Sequence, residues 1–290
     1  MTPTTPQNRF EQVAHAPYRP ERDYVLYWMI SARRTRDNFG LQRALEEAAR
    51  LGKPLVVFEA LRIGYRWASE RFHRFVIDGM HDNKAALDGV PGVTYLPYVE
   101  REEGEGKGLL EELAKRACLV VTDHFPCFFL PRMVRTVAHR LDVRLEVVDS
   151  NTILPLFEAP RIFTTAYSFR RHVHKVVLPH LEEMPLSEPL KAIPLPHSAL
   201  HLERDLERWR GALGEHALKT PLGSLAIDHE VTPTEAKGGS QEANRRLERF
   251  LAQLVDSYSE RNQVERNVAS GLSPYLHFGH ISPHTVLKDL

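Results

Sequence analysis

The first 150 residues alternate two periodicities, and no other feature narrows the fold of this chain as much. Tyr24-Val25-Leu26-Tyr27-Trp28-Met29 is a short apolar run rich in strand formers. Asp37-Asn38 then offers a cap for a helix through Leu41, Leu45, Ala48 and Leu51, spaced by three or four residues. Gly52 closes that helix, and Pro54 opens the next strand, Leu55-Val56-Val57-Phe58. A long amphipathic segment runs from about Ser69 to Leu87, followed by a strand from Val93 to Leu96 and a helix through Leu109, Leu110, Leu113 and Ala114. Leu119-Val120-Val121-Thr122 ends in Asp123, Pro131 starts a helix with Val134, Val137, Ala138 and Leu141 on one face, and Arg144 to Val148 completes a fifth strand. Five strands alternating with four helices predict a parallel α/β sheet over residues 1–150. Ligands of such sheets bind beyond the carboxyl ends of the strands, which makes Ser31, Asp123 and Asp149 candidates by position.

Composition agrees with an ordinary folded protein. Of 290 residues, 42% are hydrophobic and 26% charged, which excludes a disordered chain, a coiled coil and a collagen. Basic and acidic residues balance at 38 each. Residues 1–150 hold 22 basic and 21 acidic side chains, so neither part is a basic domain and any anion-binding surface must come from local clustering. Cys118 and Cys127 both stand among apolar neighbours and are expected to be buried thiols; no Cys/His spacing suggests a metal. The N-terminus is polar, and no stretch approaches eighteen apolar residues, so the expectation is a cytoplasmic protein with no membrane span.

The pattern breaks at 151–235, where nine prolines interrupt the chain. Only short helices are expected there, in an inter-domain connection that wraps over a surface. Regular helix resumes at Ser240, with Ala243, Leu247, Phe250, Leu251, Leu254 and Tyr258 on one stripe. Ser273-Pro274 and Ser282-Pro283 each read as a cap followed by proline at the first helical position. The second of these helices is short when the chain stops at Leu290, and the expectation is a helical domain cut off near its start.

Three stretches could carry chemistry. Gly104-Glu105-Gly106-Lys107-Gly108 is acidic in context and lacks a phosphate-loop ending, so it reads as a flexible loop. Residues 161–180 hold Arg161, Arg170, Arg171 and Lys175, no acid, and the interleaved aromatics Tyr167 and Phe169. That mixture suits a nucleic-acid backbone or another phosphate, and it equally suits a solvated helix face. His172 and His174 are two apart and share no helix face, so no metal site is expected. The third stretch is Ala269-Ser270-Gly271-Leu272-Ser273-Pro274-Tyr275-Leu276-His277-Phe278-Gly279-His280-Ile281-Ser282. Two serines and glycine-opened amides at a helix start make an anion cradle, or ordinary caps.

This last string resembles the flavin-phosphate motif of the DNA photolyase/cryptochrome family. Gly238-Gly239, the helix to Tyr258 and Arg261-Asn262 match the same family's approach to the site. Tyr27-Trp28-Met29 with Arg36-Asp37-Asn38 looks like the class II photolyases in particular. So do Pro54-Leu55-Val56-Val57-Phe58, Arg71-Phe72-His73-Arg74-Phe75, Val121-Thr122-Asp123 and Asp149-Ser150-Asn151-Thr152-Ile153-Leu154-Pro155. The resemblance covers nearly the whole chain. Two departures stand out: Gly271 where relatives often have a larger polar residue, and Val264 where they often have proline.

The resemblance implies a Rossmann-like antenna domain at 1–150, the connection at 151–235, and the beginning of a helical FAD-binding domain at 236–290. Carried over by position, Tyr258, Ala269, Ser270, Gly271, Leu272 and Ser273 would contact FAD, with Ser270 and Ser273 near its phosphates. The implied activity is that of a deoxyribodipyrimidine photolyase, a carbon–carbon lyase in which reduced FAD splits cyclobutane pyrimidine dimers under light. The alternatives are a cryptochrome-like blue-light sensor and an inactive photolyase fragment. Implied partners are UV-damaged DNA, contacted by Arg170, Arg171 and Lys175, and an antenna chromophore, deazaflavin or folate. The catalytic residues are expected beyond Leu290, and the full-length protein is expected to be a monomer. Trp28, Trp67 and Trp209 match no tryptophan relay by position.

Overall fold

The computed structural model describes residues 4–197, 200–263 and 265–290; Val264 and the first three residues of the polar N-terminus lie outside them. The strands are β1 (Phe10–Gln12), β2 (Tyr24–Met29), β3 (Leu55–Leu61), β4 (Val93–Val99), β5 (Ala117–Asp123) and β6 (Leu145–Val148). They form one sheet in the order β1-β6-β5-β2-β3-β4. β2 to β6 are mutually parallel, with Tyr27 opposite both Val57 and Val121. Five parallel strands were expected; the sheet has six, because β1 adds antiparallel to β6 with Phe10 opposite Val148. Three residues carrying Glu11 and Gln12 leave no apolar run from which to read a strand.

Alternate residues of the strands feed two separate cores, as the pleat demands. Tyr24, Leu26, Trp28, Val56, Phe58 and Val120 pack with α3 (Leu109–Ala114), α4 (Leu130–Ala138) and the segment from Leu202 to Leu213. Val25, Tyr27, Met29, Leu55, Val57 and Val121 pack with α1 (Phe39–Leu51) and the short α6 (Pro189–Ala192). The helix signals hold. The Asn38 carboxamide oxygen accepts from the Leu41 N–H and Gly52 closes α1 in the left-handed region at φ 63°. Ser69 caps α2 (Glu70–Leu87).

Beyond Ser150 the described residues make only α5 (Ala166–Val176), α6, α7 (Gly214–Leu218) and 3-10 turns before α8 (Ser240–Gln253). The connection closes the far edge of the sheet, where Leu213 bridges to Tyr98 of β4 and α7 packs alongside. α2 is shared by two cores. Val76, Ile77 and Met80 meet Leu61, Val99, Ala217 and Leu222, while Phe75 meets Ala243, Leu247 and Phe250 of α8. The α8 stripe ends earlier than expected: α-helix stops at Gln253, and Tyr258 lies in a 3-10 turn, Val255–Glu260. Two short helices follow, α9 (Ser273–His277) and α10 (Pro283–Asp289). Among the described residues, no helix is long and apolar enough to cross a membrane.

The two Ser-Pro pairs behave differently. Ser282 caps α10, its hydroxyl accepting from the His284 N–H at 3.1 Å. Ser273 does not cap α9; Leu272 stands at the cap position in helical conformation and Ser273 is already in the first turn. The cysteines differ too. Cys118 is buried, with its thiol donating to the Arg22 carbonyl at 3.2 Å, but Cys127 is exposed, in a loop that also exposes Phe128 and Phe129.

Candidate functional site

Apolar anchors hold the Ala269–Ser273 stretch in place. Leu272 and Tyr275 are buried with Phe75, Ala243, Leu247, Phe250 and Ile281 in a small core between α2, α8 and α9. The Tyr275 hydroxyl donates to the Lys237 carbonyl at 2.7 Å, and burial pushes its phenol pKa up. With these residues fixed, the polar atoms around them point to solvent. Ala269, Gly271 and Ser273 are exposed and Ser270 is half-buried. Gly271 sits in the left-handed region at φ 68°, which favours glycine. A Cβ there would lie 3.4 Å from Arg246 Nη1, so the guanidinium stands at the rim of the loop.

Arg246 pairs with Glu242 at 3.0 Å and lies 5.4 Å over the Tyr275 ring. Among the described residues, the backbone N–H groups of Ser270, Gly271 and Ser273 have no hydrogen-bond partner. The Leu272 N–H makes only a long contact, 3.4 Å, to Ser270 Oγ. Unpartnered amides, the hydroxyls of Ser270 and Ser273, and Arg246 beside Gly271 therefore lie along one short loop, and donors of this kind suit a phosphate or diphosphate. Tyr258 packs edge-on against Phe250 at 5.3 Å, under Arg261 at 4.6 Å. Arg246 and Phe250 are one helical turn apart on α8, so Tyr258 and the serine loop flank successive turns of one helix. Gly271 thus stands at Arg246 and Tyr258 at Phe250, one turn on, and no hydrogen bond or ring contact among the described residues joins Tyr258 to residues 269–273.

The cradle is bolted to the sheet by the next residues. The Gly279 backbone touches the loop after β2 so closely that a Cβ would lie 1.7 Å from the Ser31 carbonyl oxygen, and its φ is 74°. Buried Arg34 donates to the carbonyls of Gly279 (3.1 Å) and Ser150 (2.7 Å). Asp37 accepts from Thr285 Oγ1 at 2.9 Å and from Ser187 Oγ at 3.2 Å. His280 stacks on Phe75 at 5.0 Å, and its Nδ1 accepts from the Gly239 N–H at 2.9 Å. His284 meets Phe39 edge-on at 5.3 Å. Burial, aided by Arg33 and Arg34 for His280 and by Arg9 and Arg34 for His284, lowers both pKa values to about 3, so both rings are neutral at ordinary pH.

The candidates at the strand ends are structural. Asp123 accepts from the N–H groups of Ile30, Ser31 and Ala32 at 2.7–2.9 Å and from the Tyr27 hydroxyl at 2.6 Å. Asp149 accepts from the Asn151 and Leu156 N–H groups and the Thr152 hydroxyl. Ser31 Oγ accepts from Asn151 at 3.1 Å. The two carboxylates are thus committed to holding backbone, and Ser31 to the Asn151 carboxamide. Gly104 to Gly108 is a loop before α3, as expected. Trp28 and Trp209 are buried and Trp67 is exposed.

Arg170, Arg171 and Lys175 are exposed on α5, and no hydrogen bond or ring contact among the described residues joins them to the cradle. No group of three or more potential metal ligands is found there either. Sequence reasoning missed Arg246, although its place one turn before Phe250 puts it on the cradle side of α8. It also missed Arg34 and His280, whose roles depend on contacts distant in sequence.

No protein-family model matches the chain. Over 262 residues it is 30% identical to the deoxyribodipyrimidine photo-lyase of Methanothermobacter thermautotrophicus, covering 90% of this chain and 54% of that protein. It is 25% identical over 266 residues to the deoxyribodipyrimidine photo-lyase of Arabidopsis thaliana, covering 89% and 51%. The chain spans about half the length of the curated relatives it matches. Among solved structures, a bacterial class III photolyase from Agrobacterium tumefaciens aligns with a TM-score of 0.63 at 18% identity, over 92% of this chain and 53% of that one, a likeness of fold.

Proposed function

We propose that this chain, whose place in the DNA photolyase family rests on similarity across nine tenths of its length, forms the α/β side and the phosphate-binding wall of a flavin site in a class II-like deoxyribodipyrimidine photolyase. The division into an antenna domain at 1–150, a connection at 151–235 and a flavin-binding region from 236 belongs to this reading, as do a cytoplasmic setting and a monomeric state. The observation that carries it is the Ser270–Ser273 loop, with three N–H groups unpartnered among the described residues, two hydroxyls, and Arg246 beside Gly271.

Reduced FAD, when bound, supplies the photoexcited electron that splits a cyclobutane pyrimidine dimer. This chain's residues hold and orient it. The Ser270 and Ser273 hydroxyls and the free amides receive the diphosphate, Arg246 offsets its charge, and Tyr258 closes the flank of the loop. Gly279, Arg34 and His280 keep that loop in register with the sheet. The damaged DNA is selected in part because a poorly stacked dimer costs less to extrude than sound bases, by a few kcal/mol.

The test is flavin retention followed by illumination. Purified chain titrated with FAD should quench flavin fluorescence, and Ser270→Ala/Ser273→Ala should weaken binding by roughly tenfold or more, the worth of one or two hydrogen bonds to a charged group. Equal retention by the double variant overturns the cradle. Loss of dimers from UV-irradiated oligonucleotide under blue light establishes the activity for this chain. Bound flavin without dimer loss restricts the chain to cofactor binding.

A further inference from the structure

Helix α5 and the loop before it carry charge and aromatic surface that the fold does not use. No residue of α5 is buried. Arg161, Arg170, Arg171 and Lys175 form no ion pair among the described residues, whereas Arg33, Arg43, Arg116 and Arg246 each hold a carboxylate. The nearest acids in sequence, Glu158 and Glu182, lie outside residues 161–180. The helix still has an ordered shape. Thr165 caps it, accepting from the Ser168 N–H at 3.2 Å. Phe163 folds back onto it, 5.5 Å from Phe169 and 4.9 Å from His172.

Between that loop and the helix lies a depression of about 320 Å³, lined by Arg161, Tyr167, Ser168, Arg171, His172 and Lys175. His172 Nε2 is enclosed there without a hydrogen-bond partner. Tyr167 takes no part in the Phe163 cluster; the residue is 62% exposed, with the Arg171 guanidinium over one face of its ring at 5.8 Å. Tyr167, Arg171 and Lys175 recur every four residues, so they form one stripe about 12 Å long. A single free anion would fill one end of such a stripe. A chain of phosphates with flat rings attached would use all of it.

We infer that this ledge binds a nucleic-acid strand, with successive phosphates on Arg171, Lys175 and the flanking Arg161 and Arg170, and one base stacked on Tyr167. Cations supply the sequence-independent attraction, and the aromatic face accepts any base. The inference rests on the reading of the chain as part of a DNA-repair protein, to which it adds a contact surface outside the flavin cradle.

The test uses the whole chain and a fluorescent undamaged single-stranded oligonucleotide, with anisotropy read over a range of sodium chloride concentrations. Affinity should fall with salt. Arg171→Ala/Lys175→Ala should lower affinity and reduce the log–log salt slope by about 1.4, two phosphates at roughly 0.7 each. Tyr167→Ala should lower affinity about five- to 100-fold with the salt slope retained, and Tyr167→Phe should restore it. FAD titration of the same variants separates the two readings, since the ledge is expected to leave flavin retention unchanged. Oligonucleotide binding without flavin retention removes the cradle and keeps the ledge. No binding by the unaltered chain, wild-type binding by the variants, or inorganic triphosphate competing as strongly as the oligonucleotide overturns the ledge.

Discussion

The loop after β2 and helix α5 are both rich in polar and charged groups, and they use them in opposite ways. In the loop, the buried charged groups are consumed inside the protein. Asp123 gathers three backbone amides, Arg34 reaches two distant carbonyls, and Asp37 ties down residues from α10 and the connection. In α5, Arg170, Arg171 and Lys175 have no carboxylate among the described residues, and the helix buries nothing. A charged group whose partners lie within the fold reports on assembly. One without them reports on what the protein meets. The composition, balanced at 38 and 38, hides this contrast completely.

The largest test of the comparison is Asp123→Asn. The amide keeps the shape but faces its NH2 donors toward N–H donors, and the cost should be about 3 kcal/mol, measured by urea denaturation. A loss below about 1 kcal/mol would mean that the loop does not depend on that carboxylate.

A smaller effect separates the buried histidines from the exposed ones. His280 and His284 have folded pKa values of about 3, against an unfolded value near 6.5. The unfolded chain therefore binds protons first as pH falls, so stability is flat above about pH 7 and declines through the window from 6.5 toward 3. Each ring should remove about 2 kcal/mol between pH 7 and 5. His73 and His124, lowered in the same direction by burial, steepen the decline. His280→Gln should flatten the curve by its share, and an unchanged slope would place the ring in solvent.

The smallest expected effect is on the other side of the comparison. Arg170→Ala/Arg171→Ala should change stability by less than about 0.5 kcal/mol, because neither side chain holds a carboxylate among the described residues and the contact of Arg171 with the Tyr167 ring, at 5.8 Å, lies at the surface. A clear loss in the thermal melt would show that α5 is held by its charges after all.

Much of the fold was legible because apolar runs and caps are local. The strands of the parallel sheet, Asn38, Gly52 and Ser69 were all readable from neighbours in sequence. β1 was not, since its pairing with β6 lies in backbone atoms that composition does not mark. The two Ser-Pro pairs show the limit of a motif. Ser282 has the extended backbone that a cap needs, at φ −86° and ψ 140°, while Leu272, drawn into the core, starts α9 one residue before Ser273. Cys127 was misread for a related reason: apolar neighbours in sequence do not bury a residue when the loop carries them all outward. The candidate cradle residues 269–273 were legible as a string. Arg246 and the bolts at Arg34 and Gly279 became visible only when the chain had closed on itself.

The borders of the sheet carry a consequence for behaviour in solution. On one side the row of hydrogen-bonding groups ends in β1, only three residues long and running against its neighbour. On the other, β4 contains Pro97 and is met by Leu213 and α7. Two molecules colliding sideways therefore find no long ladder to extend, and strand-by-strand aggregation has no template to start from.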